Sequence, residues 1–315
     1  MRLCLMIEGQ EDVTWPDWVA LAETCESVGI EALFRSDHYL SGDGQIGRGS
    51  HDAWTTLAAI AARTSRLRLG TMVSPVTFRH PSLVANAAMT VDHISGGRAE
   101  LGLGAGWYEL EHARNGFAFP PLGERTRLLA EHVEIIVRSW REGAFDHAGP
   151  VFTLKGQQFL PAPVQKPNPP LIMGGRAGPK SAAIAAKYAD EYNTIAGAPE
   201  DAARYRAALD AACASAGRDP ATLRRSAMAF ALLGETDRDA EARAERLLAR
   251  LAPKAPLTGA IERMRSGGLV ASAAKVAARL RAHEAEGLAR LYVQNFDFAD
   301  PSSVTLFGDL ARELA

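Results

Sequence analysis

The stretch Leu3-Cys4-Leu5-Met6-Ile7, followed by Trp15 through Val28, Gly29, and Ile30-Glu31-Ala32-Leu33-Phe34-Arg35, decides the fold. Five successive apolar residues are too short for a helix and fit a strand buried on both faces. The next stretch is amphipathic and stops at glycine, the residue that best tolerates the left-handed turn ending a helix. A second short apolar run completes one βαβ unit. Working outward, the rhythm repeats: a helix from about Asp52 to Arg63, the strand Leu67–Val73, a helix opened by Pro81, the strand Arg98–Gly104, and a helix from about Glu124 to Arg141. Proline suits a first helical turn because its missing N–H has no helical partner there.

Residues Gly143–Pro170 break the rhythm with Pro150, Pro161, Pro163, Pro167 and Pro169, and with β-like runs at Val151–Leu154 and Gln158–Leu160. They read as an inserted hairpin and crossing loop that shapes the substrate cavity. The pattern resumes with Leu171–Met173, a helix near Pro179–Tyr188, Glu191–Ile195, a helix from about Pro199 to Ala216, and the strand Ser226–Leu232. A helix over Asp237–Leu251, a second Gly- and Pro-rich loop at Ala252–Gly268, also expected at the cavity, a helix over Ser272–Glu286, the strand Ala289–Gln294 and a helix after Pro301 follow. About eight strands in βα order, without a clean linker, predict an α/β fold: one (β/α)8 TIM barrel over residues 1–315, with insertions at 143–170 and 252–268.

With 47% hydrophobic residues among 315, the chain can bury a large core. The net charge of −2, with basic residues spread along helices, leaves no electrostatic footprint for nucleic acid or an anionic membrane. A small molecule is the expected partner. The start lacks a signal-peptide pattern and no apolar run approaches a membrane span, so a cytoplasmic location is expected. Cys4, Cys25 and Cys213 are odd in number and never in CxxC spacing, which fits reduced packing residues; the eight histidines show no HExxH spacing, and no metal is expected.

Barrel chemistry sits where strands end, so the residues after each strand carry the functional reading. After strand two, Ser36-Asp37-His38-Tyr39 places an imidazole beside a carboxylate: a proton-transfer pair, or a loop cap next to a surface histidine. Thr71-Met72-Val73-Ser74-Pro75 ends strand three as an apolar edge, suited to backing a ring system or to plain packing. After strand four, Gly102-Leu103-Gly104-Ala105-Gly106-Trp107 resembles a dinucleotide fingerprint only weakly, since no helix starts at once. Its glycines allow close approach of a planar ligand, and Trp107, Glu109 and His112 add aromatic and titratable groups. After strand five, Gly174-Gly175-Arg176-Ala177-Gly178 before Pro179 reads as a phosphate cradle at a helix start, or as a turn.

These segments, with Arg79-His80-Pro81, Ser95-Gly96-Gly97-Arg98, Pro120 through Arg125 and Met173-Gly174-Gly175, resemble the luciferase-like monooxygenase superfamily, and within it the oxidoreductases that use the deazaflavin coenzyme F420. The resemblance implies that His38 faces an isoalloxazine-like ring as proton donor or acceptor, with Asp37 as its electrostatic partner and Glu109 as a second polar group at the substrate end. It implies a ring backed by Met72-Val73, joined by a cis peptide bond, beside Gly104, Ala105 and Gly106, and a tail phosphate held by Gly174, Gly175, Arg176, Ala177 and Gly178. The implied activity is hydride transfer between F420 and a small organic substrate. Two alternatives stand beside it: an FMN-dependent monooxygenase supplied by a separate reductase, and a barrel that binds a flavin or another ligand without turnover. A homodimer, usual in the family, is also implied.

Overall fold

The computed structural model describes residues 1–44, 47–196, 199–251, 257–267, 269–285 and 287–314. Eight parallel strands form a closed barrel: β1 Arg2–Ile7, β2 Ala32–Arg35, β3 Arg68–Thr71, β4 Ala99–Gly104, β5 Leu171–Gly174, β6 Glu191–Ile195, β7 Arg224–Gly234 and β8 Arg290–Asn295. Closure runs through β8 on β1, with Leu3 opposite Leu291 and Ile7 opposite Asn295, and through β7 on both β6 and β8. This is the predicted (β/α)8 barrel.

Local chemistry explains the units. The helix Trp15–Val28 begins with a reciprocal capping box between Thr14 and Asp17 and ends at Gly29, whose φ of 81° is left-handed. Pro81 opens the helix Pro81–Ser95, which ends at left-handed Gly96. Along the strands successive side chains alternate between two layers. Leu3, Leu5, Leu33, Leu101, Leu103, Met173, Tyr192, Ala227 and Val293 point outward to the helices, whereas Cys4, Met6, Phe34, Met72, Ile172 and Tyr292 fill the barrel. The three cysteines are free and buried.

At its N-terminal end the barrel is plugged by charge. The Arg290 guanidinium donates to both oxygens of Glu100, at 2.7 and 3.0 Å, to Glu31 Oε1 at 2.6 Å and to Glu191 Oε2 at 3.3 Å; Tyr292 donates to Glu191 Oε1 at 2.6 Å. Arg68 and Arg224 reinforce Glu100 and Glu191 from outside. Burial would raise the Glu100 pKa, but Arg290 and Arg68 outweigh it and hold the carboxyl below its ordinary value.

Both insertions differ from expectation. The first contains a hairpin, but its strands are Phe145–Ala148 and Thr153–Gln157, earlier than the β-like runs suggested. Its hairpin lies along the outer helix Leu122–Arg141, where Glu131 binds His147 and the Val151 and Phe152 amides, and its proline-rich part returns past Asp92 and Arg68 to the start of β5. Of the second, residues 252–256 and 268 lie outside the described residues. The rest is not loop but a helix, Leu257–Gly267; just after the segment a strand, Leu269–Ser272, extends the sheet from the end of β7. Among the described residues no helix is long and apolar enough to cross a membrane.

Candidate functional site

The C-terminal ends of the strands gather the sequence-selected residues. His38 follows β2 with its side chain mostly buried, and its Nδ1 lies 2.7 Å from Glu111 Oε2. The other Glu111 oxygen accepts the backbone N–H groups of Tyr39, at 2.5 Å, and Leu40, at 3.1 Å. One buried carboxylate therefore fixes both the ring and the loop that carries it. With Nδ1–H given to Glu111, Nε2 is the ring atom available for proton exchange. Burial alone would lower the His38 pKa, yet the hydrogen bond and charge of Glu111, with Glu8 and Asp37 behind, outweigh it, and the net shift is upward.

The partner of His38 is thus Glu111, a residue the sequence reading passed over, and not the adjacent Asp37. Asp37 is buried and committed elsewhere: it accepts from Ser74 Oγ at 2.6 Å and from two nitrogens of Arg79, at 2.5 and 3.1 Å. Arg79 also reaches Tyr39 Oη and Asp52, each at 2.7 Å, so Asp37 anchors the edge after β3 to the loop after β2. Its charge reaches His38 only as a lesser contribution. Glu109 is exposed at the start of the short helix Glu109–Asn115. Positions two apart face opposite sides of a helix, so turning Glu111 inward turns Glu109 out. The signal for Glu111 was a helix start placed immediately after Tyr108. His112 is buried, bound to Thr77 Oγ1 at 2.6 Å and to the Tyr108 carbonyl at 2.7 Å.

The mouth has a glycine-lined floor. The Met72–Val73 peptide is cis, as the resemblance implied. Val73 enters a space that only glycines leave open: a Cβ on Gly102 would stand 3.0 Å from Val73 Cγ1 and 2.0 Å from the Thr71 carbonyl, one on Gly104 2.7 Å from Val73 Cγ2, and one on Gly174 3.0 Å from Val73 Cγ1. These glycines accommodate the protein's own bulged edge first. Met72, Gly104 and Gly174 share the inward side with Val73, whereas Ala105 packs against the helix layer and Gly106 makes a left-handed turn beside Thr77.

On the neighbouring rim, the Gly174–Gly178 loop meets the helix Pro179–Tyr188 at Gly178, whose helix start carries no side-chain cap. The Gly175 and Ala177 amides are taken, by the Asn193 carbonyl and Tyr192 Oη, each at 3.0 Å. The N–H groups of Gly178, Lys180 and Ser181 face the uncapped end, where an anion is favoured, and Arg176 is exposed beside them. Gly178 has open space where a Cβ would be. Glu8 completes the mouth from the end of β1, held by Gln10 Nε2 at 2.8 Å and by Gln294.

A closed (β/α)8 barrel with a poised imidazole at the C-terminal face falls in the class of barrel enzymes. The chain belongs to the luciferase-like monooxygenase family, whose sequence profile matches residues 4–305. It is 34% identical over 218 residues to the F420-dependent hydroxymycolic acid dehydrogenase of Mycobacterium tuberculosis, covering 69% of this chain and 59% of that protein. The chain spans less than two thirds of the length of the curated relatives it matches. In fold it is similar to the monooxygenase RslO1 of Streptomyces bottropensis, with a TM-score of 0.85, 22% identity and all of both chains covered. It is also similar to an F420-dependent secondary alcohol dehydrogenase, with a TM-score of 0.82, 19% identity, and 100% and 99% covered.

Proposed function

We propose that the protein is an F420-dependent oxidoreductase acting on a small organic substrate. The observation that carries this reading is the His38–Glu111 pair: a histidine with a raised pKa, one ring nitrogen fixed and the other available, at the mouth of a barrel whose relatives bear F420 names. The floor of Met72, Val73, Gly104 and Gly174 fits a flat ring, and the uncapped helix start with Arg176 fits a phosphate tail.

A bound deazaflavin supplies a hydride acceptor or donor and does not activate oxygen. The chain's own groups manage orientation and protons. With the cofactor bound, the ring would accept the hydride of a carbinol carbon or give one to a carbonyl carbon; His38 Nε2 would take the hydroxyl proton in the first direction and give it to the carbonyl oxygen in the second. Glu111 steadies the charged imidazolium in the first case and orients the ring in both.

Titration of the purified protein with oxidised and reduced F420, and in parallel with FMN, at fixed salt tests the cofactor. Saturable F420 binding with weak FMN binding is expected. A preference for FMN, with oxygen uptake on adding its reduced form, would replace this reading by the monooxygenase one, and failure of both would leave a ligand-binding barrel.

A further inference from the structure

Trp107 is the most exposed large apolar side chain at the mouth, at 63%. It is not loose. Its indole stacks on Tyr108 at 4.8 Å and 11°, Tyr108 is tied by its hydroxyl to the Ser41 carbonyl at 2.9 Å, and the indole meets the His38 ring edge-on at 5.7 Å. The indole is stacked on Tyr108 and most of it stays exposed, within ring-contact distance of the group assigned to move the proton. Such an ordered, water-facing aromatic at a site is an unfilled contact surface.

The rest of the mouth agrees in chemistry. Met228 packs with the barrel interior; Phe230, two residues on, meets Phe296 at 5.8 Å and both pack against Leu232, Ala244 and Leu247, and Ile195 ends β6 with 60% exposure. The cations near Trp107 are engaged: Arg48 with Glu11, Asp43 and the Leu251 carbonyl, Arg79 with Asp37 and Asp52, and Arg114 with the Gly44 carbonyl. An anion arriving on this side would instead approach Glu8, at the end of β1.

We infer that Trp107 is the specificity-determining face of the site and that the substrate is uncharged, with a flat apolar segment, a ring or conjugated chain, next to its reacting carbonyl or carbinol carbon. The identity of the reacting group rests on the oxidoreductase reading above; the stacking face does not. Phosphorylated sugars and other anions are poor substrates on this account.

The test is equilibrium dialysis of holoprotein loaded with F420 and, separately, with FMN, against 2-acetylnaphthalene as the uncharged flat probe, benzyltrimethylammonium as the cation and glucose 6-phosphate as the anion. Wild type, Trp107→Ala and Trp107→Phe are compared. The naphthyl ketone should bind most tightly, weaken about tenfold in Trp107→Ala, and recover to within about threefold in Trp107→Phe. The cofactor Kd should stay the same in all three. An unmoved ketone Kd in Trp107→Ala, or tighter binding of either charged probe, would overturn the inference. If the protein accepts FMN but not F420, the cofactor reading fails while the same ketone measurements still decide this one.

Discussion

At the N-terminal end of the barrel, Arg290 divides its guanidinium among Glu100, Glu31 and Glu191, and Tyr292 and Arg224 complete the Glu191 carboxylate. At the C-terminal end, His38 has one nitrogen fixed by Glu111 and the other left for exchange, and Trp107 is stacked on Tyr108 yet largely exposed. Both ends bury titratable groups, but the first pairs opposite formal charges, with Arg290 Nε and Glu31 Oε2 left without a hydrogen-bond partner, while the second holds a proton-exchanging group half-engaged. A plug stabilises by pairing its charges; a site works by keeping one valence open. Substitutions at the two ends should therefore separate stability from turnover.

The largest effect is expected at the mouth: His38→Ala should lower kcat by on the order of 10²- to 10⁴-fold, with cofactor affinity nearly unchanged. An equal loss in cofactor affinity would remove the proton role. At the other end, Arg290→Met leaves Glu100 and Glu191 buried without their shared cation and should cost about 3–5 kcal/mol of stability. Denaturant melts measure this, and kcat per folded molecule should hold; a stable variant with impaired turnover would erase the contrast between the ends.

Gly104→Ala lies between the two regimes, since the added methyl meets Val73. A loss of about 1–3 kcal/mol is expected, and Val73→Ala in the same chain should recover much of it; additive losses would show that the two positions are not coupled. The smallest effect is the pH dependence. Because the folded His38 pKa lies above its ordinary 6.5, its stabilising contribution is fully present below pH 6.5 and is lost as pH rises through the folded value. Wild type should therefore gain more stability than His38→Gln on going from pH 9 to pH 6, as read by melting temperature. Glu111→Gln, which removes the main upward influence, should move the histidine limb of the activity profile to lower pH.

Much of the barrel was legible because each unit carried local punctuation. Thr14, Asp17 and Gly29 frame the first helix, and Pro81 and Gly96 the third, without help from distant residues. The plug was not legible. Glu100, Glu191 and Arg290 stand near strand starts, where a charged residue looks like an element boundary, and only closure of the sheet brings β4, β6 and β8 face to face. At the mouth, His38 was visible from its place after a strand, whereas Glu111 was hidden because it lies on the short helix Glu109–Asn115, which was not expected between the glycines and the helix from about Glu124. Asp37 misled because adjacency in sequence suggested a pair that the fold assigns instead to Arg79. The segment Leu257–Gly267 lacked a clean helical flank, and glycine and proline on either side made it read as loop.

The Val73 edge has a consequence for anyone redesigning this enzyme. Gly104 and Gly174 come from two different strands, yet a Cβ on either meets the same valine, whereas one on Gly102 meets the Thr71 carbonyl first. Val73, Gly104 and Gly174 therefore behave as one unit. A library that varies Gly104 or Gly174 alone strains the floor, while one that shrinks Val73 first opens both positions at once, and with them new shapes for the floor of the mouth.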